Sequence, residues 1–301
     1  MIVARPRGCY LRRNCCAHPV ILMAVSDELL TGLIDAALAA GAAILDVYAT
    51  EFAVTRKGDD SPVTEADHRA EAIILRHLSD LAPGFPVVAE EEMAAGRVPV
   101  LGRPQFILVD PLDGTREFTD RNGEFTVNIA LIDDGAPILG VVYAPALGQI
   151  YTGVVGAGAG RAEVSNGRVA DWREVRVREI PEQGLSVLAS RNHCGPETET
   201  LLAGLPVAER IPAGSSLKFC RIAEGAADFY PRLGPTMEWD TAAGDAVLRA
   251  AGGRVVTLDG RPLSYGKRGR NDAKDFLNPS FMAVGAIEDG VLDSFSAERL
   301  R

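Results

Sequence analysis

The sequence contains few cysteines and few histidines for its 301 residues. The five cysteines form no CxxC pair and have no histidine at zinc-finger spacing: Cys9, Cys15, Cys16, Cys194 and Cys220. This usage predicts free thiols in a reducing, cytoplasmic setting. The four histidines are scattered, which disfavours a catalytic triad that depends on histidine: His18, His68, His77 and His193.

Several motifs of nucleotide-binding and membrane proteins are also missing. The chain has no GxxxxGK[ST] loop and no GxGxxG after an apolar strand. No uncharged apolar run approaches the length of a bilayer span, so no transmembrane segment is expected, and peripheral association with the inner membrane is left open. The formal net charge of -10 argues against a nucleic-acid polymer or an anionic membrane as a general partner. An anionic ligand would therefore need local cations or a metal ion.

Length and composition predict an ordinary globular protein with two lobes. Hydrophobic residues make up 47% of the chain and charged residues 24%. Residues 1–25 are expected to be a disordered or non-native leader, because the first 16 residues combine three cysteines and four arginines without any acid. An N-terminal α+β lobe is predicted at residues 26–180 and a C-terminal α/β lobe at residues 181–301. The oligomeric state is left open between a monomer and a homodimer.

Hydrophobic periodicity predicts helices in the first part of the chain. One helix runs from Asp27 to about Tyr48, and a second begins after Thr64 as N-cap, with Asp67 in its first turn. Between them, residues 54–63 are charged and contain Gly and Pro, as is typical of a loop. Within that loop, the segment "KGDD" at residues 57–60 is expected to close over substrate.

Short strands and further helices follow. The segments "FPVVAEEE" and "PQFILVDPLDG" each run from apolar residues into acids, and an antiparallel meander turns at Asp134-Gly135. In the second half, one helix is expected to be capped by Ser215 or Ser216 and another to begin at Asp240. Strands are predicted in three segments: "GLSVLASR", "GRVVTLDGRPL" and "SFMAVG".

Acids gather where the predicted strands end. Asp110 and Asp113 close the apolar run "FILV", and a turn at that spacing can aim both carboxylates and the Leu112 carbonyl at one point, as hard oxygen ligands for Mg²⁺. The structural alternative is a strand that ends in an Asp-Gly turn, with the aspartate as a capping acceptor. Glu90 follows "PVVA" and is expected at the same sheet edge as Asp110.

The remaining acids have competing explanations. Glu91 and Glu92 fit a solvated face, whereas Asp240 fits either a helix N-cap or a ligand near a phosphate. Asp67 has the same ambiguity with weaker support. Because no nucleophile and base lie together, these acids indicate metal-assisted displacement at phosphorus. Haloacid-dehalogenase-type enzymes remain a minor alternative, since they use DxDGT and this chain has DxxDGT.

Three motifs in order carry a family resemblance: "VVAEEE" at 87–92, "DPLDGTREF" at 110–118 and "EWDTAAGDA" at 238–246. From about residue 28 to 290 the chain resembles the inositol-monophosphatase-like phosphatases, which are Mg²⁺-dependent and lithium-sensitive. The resemblance implies a layered αβαβα sandwich of the inositol-monophosphatase/fructose-1,6-bisphosphatase type.

The same resemblance implies two Mg²⁺ ions and a third, more weakly held ion. The first metal would be held by Glu90, Asp110 and the Leu112 carbonyl, and the second by Asp110, Asp113 and Asp240. Asp67 matches the acid associated with the third metal.

Further roles follow by resemblance for residues around these ligands. Thr115 and Glu90 would orient the attacking water, and the amides of Gly114 and Thr115 would bind the phosphate. A catalytically silent homologue that only binds Mg²⁺ or a partner is disfavoured, because such a protein has no need to keep Glu90 and Thr115 beside the metal-binding acids.

Within the family, the segment "GSSLKFCRIAEGAADFYPRLGP" is most similar to bacterial 3'(2'),5'-bisphosphate nucleotidases of CysQ type. Ser215, Lys218 and Arg232 match the positions that contact nucleotide there, and an arginine suits a second phosphate. The structural alternative for Lys218 and Arg232 is ordinary surface charge. The expected reaction removes the 3'-phosphate of adenosine 3',5'-bisphosphate, a by-product of sulfate assimilation. Inositol 1-phosphate and sugar bisphosphates remain alternative substrates.

Overall fold

The computed structural model describes residues 25–56, 62–189 and 195–287. The predicted leader at residues 1–25, apart from Val25, lies outside the described residues. The loop at residues 57–60, which is expected to close over substrate, lies outside them as well.

Two long helices form the first layer, and both agree with the sequence prediction. Helix α1 spans Asp27–Tyr48, and helix α2 spans Glu65–Leu81 after a short hairpin of β1 (Val54–Arg56) and β2 (Pro62–Thr64). By length and hydropathy alone, α1 is a candidate membrane span. It is nevertheless amphipathic, since Leu33 and Ile44 are fully buried in the core it shares with α2 while Asp35 and Asp46 are exposed.

The second layer is a seven-stranded sheet in the order β3-β4-β5-β6-β7-β8-β9. Strands β3 and β4 are parallel, and all later neighbours are antiparallel. The predicted turn at Asp134-Gly135 is confirmed, with both residues at positive φ. The strands are β3 (Val87–Ala89), β4 (Phe106–Asp113), β5 (Thr126–Asp133), β6 (Ala136–Ala144), β7 (Gln149–Val154), β8 (Gly158–Ser165) and β9 (Arg168–Val175).

A five-stranded sheet forms the fourth layer, in the order β11-β10-β12-β14-β13. Its strands are β10 (Leu185–Ala189), β11 (Val207–Pro212), β12 (Phe229–Arg232), β13 (Arg254–Thr257) and β14 (Phe281–Val284). A short 3-10 helix at Pro145–Leu147 joins β6 to β7, and four short α-helices are α3 (Glu90–Ala94), α4 (Thr115–Thr119), α5 (Pro196–Ala203) and α6 (Leu217–Ala223). A longer one, α7, spans Ala242–Ala250.

Helices α6 and α7 lie between the two sheets. The backbone of α7 approaches β6 and β7 closely at Gly140 and Gly153, where a Cβ atom would lie 2.3 Å from the Ala243 carbonyl oxygen and 2.5 Å from the Val247 Cα. Glycine at both positions therefore permits this packing.

The core has three apolar clusters that match this layering. One cluster joins α1 and α2 to the seven-stranded sheet, one joins that sheet to α6, α7 and the second sheet, and one joins the second sheet to α5. The predicted αβαβα sandwich is confirmed. The division of the chain near residue 180 stays a prediction.

Several local predictions are wrong. Helix α7 begins at Ala242 with Thr241 at its N-cap, so Asp240 precedes the helix and does not open it. The predicted N-cap position of Ser216 in α6 is confirmed, although the Ser216 side chain makes no capping hydrogen bond. Glu90 is the first residue of α3 and not the last of a strand, because the chain turns into a helix directly after Ala89.

Candidate active site

The strand β4 contains a bulge between the two aspartates of the central motif. Asp110 and Asp113 pair with Asn128 and Thr126 of β5, and the register shifts between them, so Pro111 and Leu112 leave the regular ladder. Asp110 is only 1% exposed, and its Oδ1 accepts a hydrogen bond from the Leu112 amide at 3.0 Å. This contact is the predicted capping interaction, and it also turns the chain so that Asp113 lies at the cleft.

Gly114 makes the turn from β4 into α4. Its φ of +90° lies in the left-handed region, where a side chain is strained. The turn places the Thr115 hydroxyl 3.3 Å from Asp67 Oδ1 and 3.4 Å from the Leu112 carbonyl oxygen. Thr115 therefore links the motif of β4 to helix α2.

Asp67 serves two structural contacts at once. Its Oδ2 accepts hydrogen bonds from the Thr64 amide and hydroxyl, both at 2.8 Å, which completes the capping box of α2. Its Oδ1 faces Thr115. The capping explanation is thus confirmed, and it leaves the second oxygen directed at the central motif.

Glu90 and its neighbours line the edge where β3 and β4 run parallel. Desolvation raises the pKa of Asp113 and of Asp240, and the negative charge of Glu90 raises both further. Behind it, Glu71 accepts a 2.7 Å hydrogen bond from the Glu91 amide, and burial raises the pKa of Glu71 to about 7. The expected solvated face is wrong for Glu91, which is buried, because α3 packs its first turn against α2.

Asp113 connects the two halves of the chain. Its Oδ2 accepts hydrogen bonds from the Ser215 hydroxyl at 2.6 Å and from the Ser216 amide at 2.5 Å. Ser215 adopts a φ of +52°, a strained value for serine, and these contacts hold it there.

A buried polar network on β5 supports the same turn. The Thr126 hydroxyl lies 2.6 Å from the Ser215 hydroxyl and 2.8 Å from that of Ser216. Ser216 in turn donates to Asn128 Oδ1 at 2.7 Å. Thr126, Asn128 and Ser216 are almost fully buried, so the loss of one partner would leave a desolvated polar group. This network was not predicted from the sequence, although Asn128 is a lone amide in the apolar segment "TVNIALI".

Asp240 lies in the turn before α7, where its Oδ2 accepts a 2.8 Å hydrogen bond from the Met237 amide. The fully buried Glu238 stabilises this turn, because its carboxylate accepts hydrogen bonds from the Gly266 and Lys267 amides. Desolvation by the surrounding protein raises the pKa of Asp240 well above its usual value, and the charges of Asp113 and Glu90 raise it further.

The acids have the donor chemistry that suits a divalent cation. Desolvation also raises the pKa of Asp113. Asp113 and Asp240 therefore share a buried environment that disfavours their negative charges, and the charge of Asp113 raises the pKa of Asp240 as well. Carboxylate oxygens are hard ligands, and a bound Mg²⁺ would offset this repulsion. Within the described residues, no group of three acids, histidines or cysteines converges on one point in ready-made metal geometry. Asp67, Asp110 and Asp240 are each oriented by a backbone amide nearby in the sequence, and Asp113 is oriented by Ser215 and Ser216.

A cleft opens beside these groups. It brings together six of the residues predicted from sequence: Asp113, Gly114, Ser215, Lys218, Arg232 and Asp240. Thr115 and Asp67 adjoin it through their hydrogen bonds, and Glu90 acts on it through its charge. Arg116, Glu117 and Tyr230 also line it and were not predicted, although Arg116 and Glu117 stand within the motif "DPLDGTREF".

The two predicted cations of the cleft are not ordinary surface charges. Lys218 is only 6% exposed, and its Nζ lies over the ring of Tyr230. Burial lowers the pKa of Lys218 to about 8, while the nearby Asp113 carboxylate raises it. Arg232 is half-buried and donates from Nη2 to the Pro235 carbonyl at 3.1 Å.

Comparison with known protein families gives a match that covers most of the chain. Residues 26–282 match the family described as "Inositol monophosphatase family". The chain belongs to the inositol monophosphatase family. The resemblance noted from three sequence motifs is therefore confirmed.

Individual relatives show which members of this family the chain resembles. The chain is 46% identical over 244 residues to 3'(2'),5'-bisphosphate nucleotidase CysQ of Escherichia coli K12, covering 80% of this chain and 94% of that protein. The crystal structure of CysQ from Bacteroides thetaiotaomicron is 38% identical, with a TM-score of 0.69 and coverage of 86% and 97%. An inositol monophosphatase from Anabaena is 26% identical, with a TM-score of 0.66 and coverage of 88% and 94%.

Proposed function

We propose that the protein is a Mg²⁺-dependent 3'(2'),5'-bisphosphate nucleotidase that hydrolyses the 3'-phosphate of adenosine 3',5'-bisphosphate to AMP. The observation that carries the proposal is one cleft in which Asp113 and Asp240 lie beside Lys218 and Arg232. Acids of this kind suit a metal-assisted reaction, and the cations suit a substrate with more than one phosphate. The CysQ relatives named above support the same substrate class.

The metal ligands follow the family pattern. Glu90, Asp110 and the Leu112 carbonyl would hold one Mg²⁺, and Asp110, Asp113 and Asp240 a second. Asp67 would contribute to a third, more weakly held ion. When bound, such ions lower the pKa of a bound water and stabilise the charge on the leaving oxygen.

The residues of the chain would orient the other groups. Because the Thr115 hydroxyl points at Asp67 Oδ1, its oxygen can accept a hydrogen bond from the attacking water, and Asp67 can receive the proton passed through Thr115. Glu90 would orient the water from the other strand end. The amides of Gly114 and Thr115 would donate to the oxygens of the scissile phosphate.

Substrate selection would depend on the carboxyl-terminal part of the chain. Lys218 and Arg232 would pair with phosphate oxygens, and the Arg232 guanidinium can do so bidentately. Ser215 would contact the nucleotide and also hold Asp113 in place, since its hydroxyl already donates to that carboxylate. A cytoplasmic location remains part of the proposal.

Parallel phosphate-release assays would test the substrate. The purified protein is assayed on adenosine 3',5'-bisphosphate, inositol 1-phosphate and fructose 1,6-bisphosphate, with and without Mg²⁺ and Li⁺. We expect the highest kcat/KM on the nucleotide, with dependence on Mg²⁺ and inhibition by Li⁺. Comparable rates on all three substrates would contradict the nucleotidase assignment while leaving the family unchanged.

A further inference from the structure

A third cation faces the cleft that holds Lys218 and Arg232. Arg116 is the second residue of α4, directly after Thr115, and its exposed side chain lines the rim of the cleft. Lys218 and Arg232 enter from α6 and from the end of β12. A ligand anion between Arg116 and Arg232 would therefore contact both halves of the chain.

The two deeper cations have few acceptors in the protein. Lys218 Nζ reaches only the Ala213 carbonyl, at 3.5 Å, among the hydrogen bonds of the described residues. Arg232 has its Nη2 on the Pro235 carbonyl, but its buried Nε has no hydrogen-bond partner in the same part of the chain. A buried donor without an acceptor is costly unless a ligand supplies one.

Arg116 differs from arginines elsewhere in the molecule. Arg97 pairs with Glu92 at 2.6 Å and Arg249 with Asp245 at 2.7 Å. Over residues 25–56, 62–189 and 195–287, the Arg116 guanidinium makes neither an ion pair nor a hydrogen bond to protein. Its charge is therefore available to an anion in the cleft.

The charges that line the cleft determine what such an anion would be. Three acids line it, and they equal the three cations in number: Asp113, Glu117 and Asp240. The three cations reach the cleft from α4, α6 and the end of β12, so a ligand with two phosphates can pair with more of them than a monophosphate can.

We propose that Arg116 is a specificity-determining residue that pairs with the second phosphate of the substrate. The assignment rests on the proposed function. It accounts for a cation placed immediately after the phosphate-binding residues Gly114 and Thr115. It also assigns the choice between mono- and bisphosphates to a residue of the amino-terminal half.

The test compares two substrates that share the scissile ester. Wild-type protein and an Arg116→Gln variant are assayed on adenosine 3',5'-bisphosphate and on adenosine 3'-monophosphate, which lacks the 5'-phosphate. We expect the variant to lose roughly 10- to 100-fold in kcat/KM on the bisphosphate, as for a charge-assisted hydrogen bond, and less than about 3-fold on the monophosphate. Inhibition by AMP should weaken by a similar factor, and inhibition by adenosine should not change.

Arg168→Gln serves as a matched control, because Arg168 is exposed on the distant β8–β9 hairpin. Arg116→Lys should recover part of the selectivity. Equal losses on both substrates, or a wild-type enzyme that does not distinguish them, would overturn the role assigned to Arg116 but not the proposed function. If the wild-type protein released no phosphate from the bisphosphate, both the assignment and the proposed function would fail.

Discussion

The amino-terminal half of the molecule, residues 25–175, and the carboxyl-terminal half, residues 185–287, supply different chemistry to one cleft. Most acids of the proposed metal site come from the ends of β3 and β4, which lie side by side in the seven-stranded sheet. Lys218 and Arg232, with Ser215 beside them, come from a short helix, a strand end and a turn of the second half. Two residues are exceptions to this division, because Asp240 is an acid in the second half and Arg116 is a cation in the first half.

Under the proposed function, this difference would separate the metal-assisted reaction from the recognition of the substrate. A metal-assisted displacement needs acids at fixed positions, and a sheet edge provides rigid positions. Groups on turns can change without disturbing the sheet, so they suit the recognition of different phosphates. The predictions below test the two halves separately and then test the network that joins them.

The largest effect is expected from the acids. Replacing Asp113 or Asp240 by asparagine keeps the size and one carbonyl acceptor but removes the charge. We expect kcat/KM to fall by at least about 10³-fold at saturating Mg²⁺, measured as phosphate release from adenosine 3',5'-bisphosphate.

An Asp171→Asn variant controls for the loss of one charge, because Asp171 is exposed on β9 and asparagine tolerates its φ of +58°. The thermal midpoint of the Asp240→Asn variant in EDTA should equal or exceed that of wild type, since the substitution removes repulsion from Asp113 and Glu90. Near-normal Mg²⁺-dependent activity in either active-site variant would contradict the proposed metal site.

A smaller effect is expected where the two halves meet. Thr126→Val is nearly isosteric but removes the hydroxyl that contacts both Ser215 and Ser216. We expect kcat to fall roughly 10-fold, because Asp113 and the strained Ser215 would lose a shared support worth about 1–3 kcal/mol. The Mg²⁺ concentration for half-maximal activity should rise as well.

Two further variants separate positioning from general stability. Thr126→Ser keeps the hydroxyl and should recover most of the activity. Thr152→Val removes a hydroxyl from a buried threonine on β7 and should leave the Mg²⁺ dependence unchanged. If Thr126→Val lowered the thermal midpoint but not kcat or Mg²⁺ activation, the network would be only structural.

The smallest effect concerns Glu71, behind the acids of the first half. Its pKa of about 7 in the folded protein lies above its usual value of 4.5, so the folded state binds more protons between these pH values. The stability contribution of Glu71 therefore falls as pH rises through this window.

A Glu71→Gln variant would remove this dependence, because the amide stays neutral and can still accept from the Glu91 amide. In EDTA we expect its thermal midpoint to exceed that of wild type by a few degrees at pH 8, about 2–4 °C per kcal/mol, and by less at pH 5. The exposed Glu51→Gln substitution should show no such trend. A difference that stays constant between pH 5 and 8 would refute the prediction.

The sequence was most informative where functional residues stand at the ends of regular elements. Glu90 and Asp110 follow apolar runs, and parallel pairing of β3 with β4 brings such ends to one edge. Asp67 follows the capping residue Thr64, so its position in the first turn of α2 was also predictable. In these cases a local sequence pattern predicts where a strand ends or a helix begins, and therefore where the acid lies.

Residues on turns were less predictable. Asp240 was expected to open a helix, but Asp240 bonds to Met237 and the helix begins two residues later. Lys218 could have been ordinary surface charge, and only the packing of α6 against Tyr230 buries it. The contacts of Ser215 with Thr126 and Asp113 join residues 89 and 102 positions apart, a separation that no short pattern records.

By itself, the sequence indicated the family, because three contiguous motifs carry the resemblance, and that resemblance implied the layered fold and the proposed set of acids. The tertiary structure alone decided which cations face those acids and how Asp113 is oriented. It also decided that Arg116 has no protein partner among the described residues. Such properties depend on the distance between segments far apart in the chain, and that distance is set by the packing of α6 and α7 between two sheets.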